Sequence, residues 1–244
     1  MARKRNLYEP GSDKPFRLSR TKVELFIDCP RCFYLNVRLG VSRPRGFPFN
    51  LNAAVDGLLK KEFDHYRREQ IPHPYMAEHG INAVPYQHED LDTWRANFKG
   101  VSHHHRPTNF ELFGAIDDAW VSNDTGELIV VDYKATSKKG EVSLDADWQI
   151  TYKRQMEFYQ WLMRGAGFKV SDTGYFVYCN GIRDGERFDA RLDFKISLIA
   201  YTGSDGWVES TVQEIHETLQ GEKVPEPSEG CEHCAFVSEA ARIG

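Results

Sequence analysis

An α/β (α+β) fold, with a central mixed β-sheet flanked by helices, is what the order of periodic segments predicts. Long stretches with apolar residues at helical spacing alternate with strand-like apolar runs, in the order helix, strand, strand, helix, strand, strand, helix. With 244 residues and 41% hydrophobic content, the chain carries enough apolar material for a sizeable core as a single domain.

Residues 1–17 form a polar leader containing Pro and Gly, read as flexible. Residues 18–50 make an N-terminal helical part: Ser19 is placed to cap a helix carrying Val23, Leu25, Phe26 and Ile27, which ends at Cys29-Pro30, and a short helix over "FYLNVRLG" stops at Gly40. The core, residues 51–222, opens on an amphipathic helix to about Arg68, with Ala54, Leu58, Leu59 and Phe63 at helical spacing. Residues 73–108, rich in Pro, His and Gly, show no sustained period and read as an irregular insertion with one short helix near Trp94. "NFELFGAIDDAWV" and "GELIVVDYK" read as two strands, and the intervening "SNDTG" suits an antiparallel hairpin. Trp148, Tyr152, Met156, Tyr159, Leu162 and Met163 mark a second long helix that Gly165 and Gly167 end. "GYFVYCN" and "FDARLDF" give two further strands, "DGWVESTVQEIHETLQG" a closing helix, and residues 223–244 a tail.

The formal charge of -5 excludes a histone-like or coat-like basic binder but leaves local basic patches open. The basic start "MARKRNLYEP" is followed by no apolar run of signal-peptide length, and nothing approaches about 20 consecutive apolar residues. A soluble cytoplasmic protein without membrane contact is expected. In that setting five cysteines point to metal or redox chemistry rather than disulfides.

Three charged positions stand out near the hairpin. Asp132 and Lys134 lie two apart at the end of an apolar strand and so share a face. Across the expected hairpin, Asp117 comes within reach of Asp132. Two adjacent carboxylates repel unless something positive lies between them, and a hard divalent cation, magnesium or manganese, takes carboxylate, water and phosphate oxygens. Lys134 would then face the metal-bound water or the phosphate.

Cys29 and Cys32 form one CxxC pair and Cys231 and Cys234 another. Two such pairs complete a tetrahedral zinc site or ligate an iron-sulfur cluster, joining the N-terminal helical part to the tail. Cys179 reads as an inert core thiol. "HHHRP" at 103–107 reads as an exposed loop, and the basic "ARKR" with Arg17, Arg20 and Lys22 as a solvated or phosphate-contacting tail.

"GAID" at 114–117, "VVDYKAT" at 130–136 and "QMEFYQWL" at 155–162, with "CPRCFYL" at 29–35 and "CEHCAF" at 231–236, follow one another as the motifs of a known family do. The chain resembles the RecB-like branch of the PD-(D/E)XK nuclease superfamily over about residues 18–236. The resemblance implies a restriction-endonuclease-like core, Asp117 and Asp132 as metal ligands with the Tyr133 carbonyl, and Lys134 as the catalytic lysine. It makes Gln155 and Tyr159 a pair beside the active site, in contact with DNA or supporting the catalytic strand. The metal-binding histidine usual in the first long helix is replaced here by Asp56, also able to ligate magnesium, with Glu62 and His65 one or two turns further on. In CRISPR-associated RecB-like exonucleases and AddB-type nuclease domains one N-terminal and three C-terminal cysteines hold a 4Fe-4S cluster; here the split is two and two. The resemblance favours the cluster, and zinc remains the alternative on spacing.

The function expected is a magnesium- or manganese-dependent deoxyribonuclease, an exonuclease or end-processing enzyme of DNA repair, recombination or CRISPR adaptation, acting with protein partners of such a complex. Lys138 and Lys139 are placed to receive a DNA backbone. A non-catalytic DNA-binding or scaffold subunit and an RNA-directed nuclease stay open as alternatives.

Overall fold

The computed structural model describes residues 6–44, 46 and 50–243; the "ARKR" stretch at 2–5 lies outside them. In chain order the elements are β1 (Phe16–Ser19), α1 (Arg20–Asp28), α2 (Pro30–Val37), α3 (Asn50–Glu69), α4 (Pro74–Glu78), β2 (Ala83–Pro85) and α5 (Leu91–Trp94). There follow β3 (Val101–His105), β4 (Phe110–Gly114), β5 (Asp118–Ser122), β6 (Leu128–Thr136) and a 3-10 turn at Asp147–Gln149. The chain continues through α6 (Ile150–Gly165), β7 (Thr173–Gly181), β8 (Phe194–Thr202), α7 (Trp207–Gln220) and α8 (Glu232–Ile243). The fold is mixed α/β. Two compact units are interleaved along the sequence, one drawn from 1–47, 103–113 and 206–244, the other from 48–102 and 114–205.

In the second unit the described strands form a mixed sheet in the order β2-β5-β6-β7-β8. β6 holds the centre because Leu128, Ile129, Val130 and Val131 are apolar on both faces, so the strand can be covered on both sides. It pairs antiparallel with β5, as the "SNDTG" turn predicts, and parallel with β7. A parallel neighbour needs a crossover, which α6 supplies. One face of the sheet, with Ile129, Val131 and Tyr133, packs on Leu59 and Phe63 of α3. The Phe63 ring stacks on Trp120 at 5.6 Å and on His73 at 4.2 Å, so truncating it to alanine costs about 3–5 kcal/mol. The other face, with Val130 and Asp132, lies toward α6: Gln155 reaches Asp132, and a Cβ on Gly174 would collide with Met156.

The first unit joins β1, β4 and β3 into a small sheet, with β1 parallel to β4. Tyr8, in the stretch read as a leader, is buried edge-on against Phe16 and Phe110. α7 buries Val208, Val212, Ile215 and Leu219, the single apolar stripe of a surface helix. Ser19 occupies the N-cap position of α1, but its side chain makes no capping hydrogen bond.

Four expectations need correction. "NFELFGAIDDAWV" is two strands in two sheets, because at Ala115–Asp117 the backbone turns to loop partners: the Ile116 amide donates to the Trp94 carbonyl, and Arg95 Nε donates to that of Asp117. "FDARLDF" is a turn whose Asp189 and Ala190 have positive φ; the strand is the next segment, which alternates Phe194, Ile196 and Leu198 toward the core. The three histidines at 103–105 belong to β3, not a loop; His105 is buried, bonded to Thr108 Oγ1 at 2.8 Å and Glu209 Oε2 at 2.9 Å. The segment 73–108, expected to be irregular apart from one short helix near Trp94, holds α4, β2, α5 and all of β3, with α5 ending at Trp94.

Candidate active site

Charged groups gather at the end of β6. Asp132 is fully buried, accepts a hydrogen bond from Gln155 Nε2 at 2.8 Å and is ion-paired with Lys134. Gln155 also reaches Tyr159 Oη at 3.2 Å, so one turn of α6 fixes the Asp132 carboxylate from above. The Lys134 ammonium lies 4.5 Å from the Tyr152 ring centroid, a cation–π distance. Burial by itself pushes the lysine down, but the charges of Asp132 and Asp117 outweigh it and hold it above its ordinary value.

Asp117 precedes β5 and stays on the cleft side: its Oδ2 accepts the Tyr133 amide at 2.9 Å, and its Oδ1 lies 3.5 Å from Lys60 Nζ. Asp56 meets the same lysine at 2.9 Å, one turn earlier on α3. Burial, then the neighbouring Asp117 charge, push the Asp56 carboxyl up, and Lys60 offsets part of that. Asp56, Asp117, Tyr133, Lys134 and Tyr152 line a cleft of about 280 Å³. Glu62 instead bonds His73 Nε2 at 3.0 Å and His65 is exposed against Tyr66; neither lines the cleft. Lys138 and Lys139 are exposed just beyond β6.

The second constellation lies at the start of α2 and of α8. The four sulfurs of Cys29, Cys32, Cys231 and Cys234 all lie within 4.8 Å of one another, among the described residues the one group of potential metal ligands gathered that tightly. Arg43 Nη2 donates to Cys231 Sγ at 3.4 Å and pairs with Asp28 at 2.5 Å. Burial pushes the Cys29 thiol up, but hydrogen bonds from the Cys32 and Ser228 backbone and the neighbouring thiols outweigh it and bring it to about 6. Burial and its thiol neighbours push Cys234 up. Cys179 is a core thiol, raised by burial to about 11.

The family profile of the PD-(D/E)XK nuclease superfamily matches residues 17–238, most of the chain. The protein belongs to the PD-(D/E)XK nuclease superfamily. No curated protein matches it. The crystal structure of SSO0001 is similar over 93% of this chain and 86% of that one, at 14% identity and a TM-score of 0.41.

Membership makes the protein one of a superfamily of metal-dependent nucleases, and the donors of its cleft suit such a metal. Asp56, Asp117 and Tyr133 line the cleft, Asp132 lies buried beside it against Lys134, and their carboxylate and carbonyl groups offer oxygen alone, the preference of magnesium and manganese. Three carboxylates face the two ammonium groups of Lys60 and Lys134, so the cleft keeps a net negative charge that favours a cation.

Two features of this PD-(D/E)XK site escape the sequence reading. Lys60 bridges Asp56 and Asp117, and the only signal for it is its place four residues after Asp56 on a helix. Behind the cleft, fully buried Asp118 pairs with Arg67, accepts from Arg95 Nη2 at 2.8 Å and from Tyr133 Oη at 2.7 Å. Arg95 also bonds the Asp117 carbonyl at 3.1 Å and Asp64 at 2.8 Å. The adjacent acids Asp117 and Asp118 thus point to opposite sides, one into the cleft and one into a guanidinium cage. No helix of the described residues is long and apolar enough to cross a membrane.

Proposed function

We propose that the protein is a magnesium- or manganese-dependent deoxyribonuclease of the RecB-like branch, an exonuclease or end-processing enzyme that hydrolyses DNA phosphodiesters in repair, recombination or CRISPR adaptation. The observation that carries the proposal is the arrangement at the end of β6: Asp132 clamped by Gln155, Asp117 clamped by the Tyr133 amide, and Lys134 held against Asp132 in the same cleft.

Asp117, Asp132, Asp56 and the Tyr133 carbonyl would hold the metal, which when bound supplies an activated water and a Lewis acid for the scissile phosphate. The chain's own residues do the rest. Gln155 keeps the Asp132 carboxylate in one rotamer, and Tyr159 supports Gln155 from the next turn. Lys134, only 13% exposed, is held above its ordinary value by the charges of Asp132 and Asp117. It can orient the attacking water and offset charge gathering on the phosphate oxygens. Exposed Lys138 and Lys139 meet the flanking backbone electrostatically, so their removal weakens DNA binding and flattens its salt dependence.

Labelled single- and double-stranded DNA and RNA, incubated with the protein and manganese or chelator, test the proposal. Cleavage of DNA that chelator abolishes supports it; cleavage of RNA alone, or none of either, overturns it.

A further inference from the structure

We infer that the four cysteines hold a single tetrahedral zinc ion, not a four-iron cluster. The sulfur spacing carries the inference. Cys29 Sγ lies 3.8 Å from that of Cys234, and Cys32 Sγ lies 3.7 Å from that of Cys231 and 3.5 Å from that of Cys234. An ion with zinc–sulfur bonds of about 2.3 Å in tetrahedral geometry holds its sulfurs about 3.8 Å apart. A cube of four irons and four sulfides carries one thiolate at each iron corner and spreads them to roughly 6 Å. All four sulfurs here fall within 4.8 Å, so the space they enclose fits one ion and not a cube.

The chemistry of the pairs agrees. Each CxxC bites one ion with both its thiolates, the arrangement of two-knuckle zinc sites. The Arg43 guanidinium on Cys231 offsets part of the charge that four thiolates on one dication leave over.

The ion also explains what holds the tail. None of the described residues of α8 is buried, and its apolar side chains Phe236, Val237 and Ile243 are 73%, 65% and 89% exposed. Hydrophobic packing therefore contributes little to docking α8, whereas Cys231 and Cys234 meet the cysteines at the start of α2. Metal-binding free energy becomes docking free energy for this segment.

The test uses the full chain, purified under nitrogen from cells supplied with both iron and zinc, assayed for zinc, iron and acid-labile sulfide, then stripped and titrated with cobalt(II). A colourless protein with about one zinc per chain is expected, with a cobalt titration that saturates near one equivalent, shows intense tetrahedral ligand-field bands and is reversed by zinc. A brown protein with about four irons and four sulfides per chain overturns the inference, as does cobalt binding without tetrahedral bands. Stripping the ion should speed proteolysis within residues 222–243 by about tenfold or more; an unchanged rate overturns its role as the tail's anchor. These readouts are independent of DNA cleavage, so the zinc assignment and the nuclease proposal stand or fall separately.

Discussion

The cleft at the end of β6 and the thiol cluster at the start of α2 both crowd charge-bearing ligands into a small space, but the protein supports them in opposite ways. Around the cleft every acid already has a protein partner: Asp132 has Lys134 and Gln155, Asp117 has the Tyr133 amide and Lys60, and Asp56 has Lys60. Beneath it lie a strand buried on both faces and the Asp118 cage. At the cysteines the order is reversed: none of the described residues of α8 is buried, and Cys231 and Cys234 meet the cysteines at the start of α2. One site is built by the fold; the other completes it. A preformed site can exchange its ion during turnover, whereas an ion that docks a segment must stay.

The most damaging way to break this contrast is from behind the cleft. Asp118→Asn removes the charge that compensates buried Arg67 and Arg95, and we expect a loss of about 3–5 kcal/mol in denaturant unfolding. A loss below about 1 kcal/mol would mean that the cleft is not held by its surroundings. Next comes Lys134→Ala, with a drop in DNA cleavage of about 100-fold or more in the presence of manganese. A circular dichroism spectrum like the parent's is needed beside it, and cleavage at the parental rate refutes the role given to the lysine. Lys60→Met should act in the opposite direction. It takes away the ammonium that competes for Asp56 and Asp117, so manganese should bind the cleft roughly three- to fivefold more tightly by calorimetry, the scale of a partly exposed ion pair. Weaker binding would make Lys60 a support of the site instead of a competitor.

The smallest effect is set by pH. His73 is buried, its Nδ1 accepts the Tyr75 amide at 3.1 Å and its Nε2 bonds Glu62. Burial lowers its pKa below the ordinary 6.5, with Glu62 and Glu78 opposing that shift. The folded protein therefore favours neutral His73, and this stability is present above pH 6.5 and lost as pH falls through the lowered value. Unfolding followed from pH 7.5 to 5 should show a shallower decline for His73→Gln than for the parent; identical slopes would remove His73 from the account.

Strand β6 was legible because its message is local. Four apolar residues followed by Asp132 and Lys134 announce a covered strand that ends in charge, and Gln155 and Tyr159 share a helix face by spacing alone. The cysteine pairs were legible for the same reason. Lys60, Arg67 and Arg95 were not, since charged residues on helices most often face water, and only the tertiary placement of Asp118 turns two of them inward. The break between β4 and β5 was hidden because Ala115 and Ile116 are apolar like the strands on either side, with Ile116 buried in the loop itself. "FDARLDF" alternates well enough to read as a strand, and only the positive φ angles at Asp189 and Ala190 show that it turns.

Tyr133 has a further consequence. Its amide binds Asp117 while its hydroxyl binds Asp118, so a single residue of β6 distinguishes two neighbouring acids by the side of the sheet on which each arrives. If β5 slipped by one position along β6, every side chain would change face. Asp118 would be carried away from its arginines, and Asp117 would be turned from the cleft into the apolar side of the sheet. The paired acids therefore act as a proofreading mark on strand alignment: the register that seats Asp118 among its arginines is also the one that turns Asp117 toward the cleft.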